Sequence, residues 1–372
     1  AFYVSCSKRG GKGRSGLAMH EEDVTTKVFV ATTHTPVLFF SSKGQVYKLK
    51  VYKLPLGSPQ SKGRSLVNIF PIDSDETINV VMPLPDDENK WDDLGIMFAT
   101  SKGTVRRNDL SDFKRIPSNG KIAMKLDEDS RLVAVNVCDE SQHVFLSTRD
   151  GKSVRFPVSA VREFKSRAST GVRAVKLADA NEVVSMDIIT GVEFEDIDQR
   201  DQYLKIPLED RLSLKAFLNP GVDEDGNALE IDEEAVLDQL NAIESPLHAD
   251  QVRHYAANED FILAITENGY GKRTSAYEYR VTNRGGSGVV NIVTSARNGK
   301  VVASYKVELT DQILLITTKG KLIRCPLSDV RVTGRSTQGV TLFKVADGEK
   351  VISAARIEDA DDDQDDQEQA QD

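Results

Sequence analysis

The strongest constraint on this chain is a phrase that it repeats five times. A short apolar run leads into Thr or Ser, then a small polar turn with Gly, then an apolar residue beside Lys or Arg. The copies are LFFSSKGQVYKL from Leu38, MFATSKGTVRR from Met97, VFLSTRDGKSVRF from Val144, ILAITENGYGKRT from Ile262 and LLITTKGKLIRC from Leu314. Each reads as a β-hairpin, because β-branched and aromatic residues flank a tight turn in which Gly supplies a positive φ. The turn glycines are Gly44, Gly103, Gly151, Gly269 and Gly320, and three of their four spacings are 59, 48 and 51 residues. The fourth, 118, is one unit lengthened by an insertion.

A second element follows each hairpin: a basic loop that ends in Gly and leads to another apolar strand. Its glycines, Gly63, Gly120, Gly171, Gly288 and Gly339, trail the turn glycines by 19, 17, 20, 19 and 19 residues. A sixth loop, SKRGGKGRSGLA, occupies residues 7–18 with Gly13 in the matching place, so the chain is expected to begin inside its first repeat. Units of this length, each rich in short strands, predict an all-β, propeller-like ring in which no unit is stable alone. The expected organisation is a truncated first blade at 1–26, blades at 27–94, 95–141 and 142–190, an insertion at 191–255, blades at 256–311 and 312–357, and a tail at 358–372.

Charge divides along the same boundaries. Net charge is -10, yet residues 191–250 hold 17 acids against 4 bases and residues 358–372 hold 9 acids and no base. The remaining 297 residues carry 44 bases and 32 acids, a net of +12. A basic repeated body therefore carries two acidic appendages. The tail has no apolar residue beyond Ala and is expected to be disordered. In the insertion, 230–243 and LEDRLSLKAFLN have helical spacing, so this segment is expected to be mainly helical. The insertion is expected to be a peripheral decoration, the sharper alternative being that the insertion or the tail competes with an anionic partner for the basic body.

The loop Ser7-Lys8-Arg9-Gly10-Gly11-Lys12-Gly13, followed by Arg14, resembles the gyrase A box, the signature heptad of the DNA gyrase A C-terminal domain family. Ser7 stands where that box has Gln, and the other six positions fit. The resemblance covers nearly the whole chain and implies a six-bladed β-pinwheel whose neighbouring blades exchange strands. It also implies double-stranded DNA wrapped on a basic rim with positive writhe, which lets the whole gyrase introduce negative supercoils. The implied partners are the rest of the gyrase A subunit, with the gyrase B subunit, in an A2B2 assembly; ATP and Mg belong elsewhere in that enzyme, with no cofactor in this chain. Other readings are a topoisomerase IV-type bending domain and a protein-interaction propeller.

Wrapping needs cations at intervals along a curved surface, with little base reading. Besides residues 7–14, the loop candidates are Lys62, Arg64, Lys114, Arg115, Arg162, Lys165, Arg167, Arg284 and Arg335. The hairpin-end candidates are Lys48, Arg106, Arg107, Arg155, Lys272, Arg273 and Arg324. Arg offers phosphate a bidentate fork, and loop glycines let the backbone approach closely. Phe39, Phe98, Phe145, Ile262 and Leu314 are expected in blade cores rather than as stacking platforms.

Catalytic and metal chemistry find no support. Gly11-Lys12-Gly13-Arg14-Ser15-Gly16 matches GxGxxG without a βαβ context, and Asp150-Gly151-Lys152-Ser153 lacks the first glycine of a P-loop. The five His have no zinc spacing, and no nucleophile elbow is present. Cys6, Cys138 and Cys325 are too far apart for a CxxC motif, which with the lack of a membrane-length apolar run favours the cytoplasm.

Overall fold

The structure, a computed structural model, describes residues 31–55, 66–73, 75–85, 87–166, 169–221 and 228–357. The gyrase A-like box, the cations Lys62, Arg64 and Arg167, and the acidic tail lie outside those residues.

Five repeats are seen. The first gives strands β1 (Pro36–Ser41), β2 (Gln45–Lys50) and β3 (Ile78–Pro83). The second gives β4 (Gly95–Thr100), β5 (Thr104–Asp109), β6 (Lys121–Ile122) and β7 (Leu132–Cys138). The third gives β8 (His143–Thr148), β9 (Lys152–Pro157), β10 (Val172–Arg173) and β11 (Val183–Ile189). The insertion follows as α1 (Ile197–Lys205), α2 (Leu208–Leu218), α3 (Glu233–Ala242) and α4 (Ala249–Ala257). The fourth repeat gives β12 (Phe261–Thr266), β13 (Tyr270–Ser275), β14 (Val289–Val290) and β15 (Val301–Val307). The last gives β16 (Gln312–Thr317), β17 (Leu322–Pro326), β18 (Val340–Thr341) and β19 (Val351–Ile357).

The short third strand of a repeat never joins its own hairpin. β6 pairs with β2, β10 with β5, β14 with β9 and β18 with β13, all antiparallel, so each of these four sheets takes its outermost strand from the repeat that follows. A blade and a sequence repeat are thus different sets of residues. The sheet of the last repeat has three strands among the described residues.

The turn glycine makes this exchange possible. The carbonyl of Gly44 accepts the N–H groups of Ala123 and Met124, at 2.9 and 3.2 Å, and Gly151 does the same for Asn291 and Ile292 at 2.8 and 3.2 Å. Both glycines hold φ near +80°, at +76° and +83°, and a Cβ on either would overlap the backbone oxygen of the incoming segment. The first hairpin strands are continuous apolar runs because both faces are covered: in β1, Leu38 and Phe40 pack against the second repeat, while Val37 and Phe39 pack against Phe70. Phe39, Phe98, Phe145, Ile262 and Leu314 are all buried, as their spacing predicts.

The hairpin-end cations are a correction. Arg106, Arg107, Arg155, Lys272 and Arg273 are buried, with Arg106 and Lys272 at 0% exposure, so none of them lies open on a rim. Most reach across to carbonyls of the next repeat. Lys48 Nζ donates to Lys114 O (3.1 Å), Arg106 to Ser169 O (2.9 Å), and Arg273 Nε to Val330 O (2.8 Å). Lys272 Nζ donates to Gly334 O and Arg335 O, both at 2.7 Å. Arg107 instead pairs with Glu140 at 3.0 Å, and Arg324 Nε donates to Gln312 Oε1. The physical reason is that a strand-donating loop exposes carbonyls inside the interface, and a long cationic side chain supplies donors there.

Arg155 shows the device most fully. Its guanidinium donates to Ala276 O (2.8 Å) in the fourth repeat and to Thr190 O (3.4 Å) and Val192 O (3.3 Å) at the start of the insertion. Its Nε donates to His143 Nδ1 at 3.0 Å, which requires that nitrogen to be unprotonated. The insertion is then bolted down by a cluster of Phe194, Tyr203, Tyr255 and Tyr277, where Tyr277 follows β13. The buried carboxylate of Glu259 accepts Tyr203 Oη at 2.8 Å and pairs with Arg211. The helices expected over 230–243 and 208–219 are α3 and α2; α1 and α4 complete the unit.

Two outcomes follow from this packing. Burial, and then the neighbouring Arg155 charge, depress the His143 pKa to about 4. Between the unfolded value of about 6.5 and that value, the unfolded chain takes up a proton that the folded one refuses. Stability therefore falls as pH drops through this window; thermal melts from pH 7 to pH 4 should show the slope, and His143→Gln should flatten it. Replacing Arg155 with Met leaves several carbonyls without a donor and should cost about 2–4 kcal/mol in chemical denaturation, whereas Arg162→Ala on the surface should change stability by less than about 0.5 kcal/mol.

Candidate nucleic-acid interface

The outermost strand of each of the four complete sheets is the donated one, so the loop leading to it marks the outer edge. The buried cations hold these loops by their carbonyls, and the loops present their own cations outward. Arg115, Arg162, Lys165 and Arg284 are exposed; Lys114 and Arg335 are half-buried. Four of them are positioned by a local contact. Arg162 lies over the Phe164 ring at 4.4 Å, and Arg284 donates to Ala160 O and Arg173 O, both at 3.1 Å. Lys114 pairs with Asp92 at 2.7 Å, and Arg335 donates to Val290 O at 3.4 Å.

Where the end of β2 meets the loop of the second repeat, a groove of about 560 Å³ opens. Lys48, Lys50, Lys53, Lys114 and Arg115 line it, together with Tyr52. Lys48 is steadied by Glu88 at 2.6 Å and by the Trp91 ring at 4.7 Å. Tyr52 is 55% exposed and offers a flat apolar face between lysines. This arrangement suits a phosphodiester backbone: several cations with apolar spacing, and a lining without carboxylates.

Sequence reasoning missed Lys50 and Lys53 in that groove, and the exposed Lys125, Arg173, Lys176, Arg280 and Arg331 of later repeats. A signal was present for four of them: Arg280 and Arg331 stand eleven residues after their turn glycines, as Lys114 and Arg162 do, and Lys125 and Lys176 stand five residues after Gly120 and Gly171. Tyr47, Tyr277 and Tyr279 are buried, whereas Tyr270 is half-exposed and accepts a hydrogen bond from Arg297 Nε at 3.1 Å. Among the described residues no group of three or more His, Cys, Asp or Glu is placed to hold a metal, and no helix is long and apolar enough to cross a membrane.

The family model for the DNA gyrase C-terminal domain, a beta-propeller, matches residues 35–85, 96–139, 142–190, 260–308 and 311–358. The chain is 51% identical to the DNA gyrase A protein of Rickettsia bellii over 96% of its own length and 37% of that protein's. It is 42% identical to the DNA gyrase A protein of Granulibacter bethesdensis over 93% of its length and 36% of the relative's. This chain thus corresponds to somewhat over a third of these relatives. A solved structure of the DNA gyrase A C-terminal domain shares the fold at a TM-score of 0.67 and 18% identity, covering 95% of this chain and 93% of that one. The C-terminal domain of DNA topoisomerase IV shares it at 0.61 and 21% identity, covering 88% and 80%. The five matched segments coincide with the five repeats that exchange strands, and the chain belongs to the DNA gyrase C-terminal domain family.

Proposed function

We propose that this chain binds duplex DNA along the outer edge of its blades and wraps it with positive writhe, serving a gyrase that supercoils DNA with ATP. The observation that carries this reading is the two-tier arrangement of cations. Buried ones such as Arg106, Lys272 and Arg273 fix the donated loops, and exposed ones on those loops face solvent at the outer edge. Exposed cations spread over several repeats favour backbone binding over sequence reading.

Catalysis belongs to other parts of the assembly in this reading. The rest of the gyrase A subunit, together with the gyrase B subunit, would supply DNA cleavage and ATP hydrolysis with Mg, and the setting is the bacterial cytoplasm. The box at Ser7–Arg14 is assigned the first grip on the wrapped segment, with the loop cations holding the path beyond it. The likeness to the topoisomerase IV domain concerns the fold, and a topological readout separates wrapping from bending.

Ligating nicked circular DNA in the presence of the chain should shift topoisomers in the positive direction. A centred distribution would reduce the protein to a bender or a scaffold. Replacing Lys8, Arg9, Lys12 and Arg14 with Ala should abolish the shift while most affinity survives. Replacing Arg162, Lys165 and Arg284 with Ala should weaken duplex binding by about tenfold near 0.1 M salt and lower the salt slope by about 2–3. Fluorescence anisotropy over a salt series reads both.

A further inference from the structure

The acidic insertion does not stand clear of the outer edge. Helix α1 lies beside β14, the outermost strand of the sheet ordered β11-β8-β9-β14, and the two enclose a cleft of about 650 Å³. Four cations from four chain segments line it: Lys152 at the start of β9, Arg200 on α1, Arg280 beyond β13 and Arg335 on the last repeat's loop. Two carboxylates are also present, and both are occupied. Asp201 Oδ1 accepts from Arg200 Nε at 3.0 Å and from its terminal nitrogen at 2.6 Å, while Glu278 Oε2 accepts the backbone N–H of Arg335 at 2.9 Å.

The helix is fixed in the rotation that points Arg200 into this cleft. Its adjoining face is buried through Gln199 and Tyr203, which bond to Tyr255 and Glu259 of the insertion core. An insertion with 17 acids and 4 bases over residues 191–250 thus turns one of its few bases toward the blade edge. Its exposed acids, including Asp196, Asp198, Glu233 and Glu234, lie outside the cleft lining.

We propose that this cleft is a phosphate-binding site for the DNA backbone, and that the insertion extends the DNA path through Arg200. This rests on the DNA-binding reading above and differs from both sequence-based readings of the insertion, a peripheral decoration and a competitor of the anionic partner. Arginine suits the role, since its planar fork meets phosphate oxygens bidentately and Asp201 holds it ready. Val289 and Val290, on the short donated strand, give the backbone an apolar floor to pass over.

The test compares two charge reversals on the same helix in the full chain. Arg200→Glu changes the cleft, and Lys205→Glu changes an exposed residue of α1 outside it. Anisotropy with a 40-base-pair duplex should show Arg200→Glu weakening binding roughly five- to tenfold near 0.1 M salt and lowering the salt slope by about one. Lys205→Glu should change affinity less than about twofold, and both variants should melt with the parent chain. A photo-crosslinking residue at position 200 should capture the duplex, and one at position 205 should not. Equal affinities for the two variants, beside a parent chain that binds, would overturn this inference alone. A parent chain that does not bind the duplex removes the functional reading and this inference with it. Loss of a fluorescent ATP analogue, rather than of duplex, on Arg200→Glu would make the cleft a nucleotide site and contradict the proposal.

Discussion

The structure depends on long cationic side chains, most of them buried, that cross from one repeat to the carbonyls of the next. At the fourth residue after each turn glycine stands Lys48, Arg107, Arg155, Arg273 or Arg324. Three of these, Lys48, Arg155 and Arg273, donate directly to backbone oxygens of the following repeat. A short donated strand such as Val289–Val290 forms few ladder bonds, and its loop would otherwise leave carbonyls unpaired within the interface. The cation satisfies them and sets where the loop lies. Burial has a measurable cost: it lowers the Lys272 pKa to about 7 and that of Arg155 to about 10. The multiple carbonyl contacts offset that cost, and the loop becomes a rigid support for the exposed cations around it.

Much of this was legible in the sequence. Gly44, Gly103, Gly151, Gly269 and Gly320 marked the five hairpins, and all hold positive φ. The regular offset to the second glycine marked the repeat, but it could not say that the strand after Gly120 belongs to the preceding sheet. Pairing across repeats is decided by tertiary geometry, and Lys121–Ile122 reads locally like any short strand. The hairpin-end and loop cations were equally hard to tell apart, since both are basic residues near a turn. Both keep a register: the hairpin cation stands four residues after its turn glycine, and Lys114, Arg162, Arg280 and Arg331 each stand eleven after theirs. Register therefore does not separate the two sets, and only burial against the following repeat does.

Bulk charge was the most misleading quantity. A net of -10 argues against a nucleic-acid partner until it is divided into a body at +12 and two acidic segments. Dividing the insertion further, by surface, places Arg200 in the cleft with Asp201 and leaves the exposed acids Asp196, Asp198, Glu233 and Glu234 beyond it. Helix α1 itself was missed because IDQRDQYLK is mostly polar, and its place in the fold comes from Tyr203 at 0% exposure within an aromatic cluster contributed largely by later residues.

The central claim is that a duplex follows the outer edge from blade to blade, held by loops that the buried cations fix. Hydroxyl-radical footprinting of a long duplex bound to the chain tests it most directly. The predicted result is protection recurring about every 10 base pairs over several helical turns, as the backbone meets successive loops. A single short protected patch, with no periodic recurrence, would contradict it.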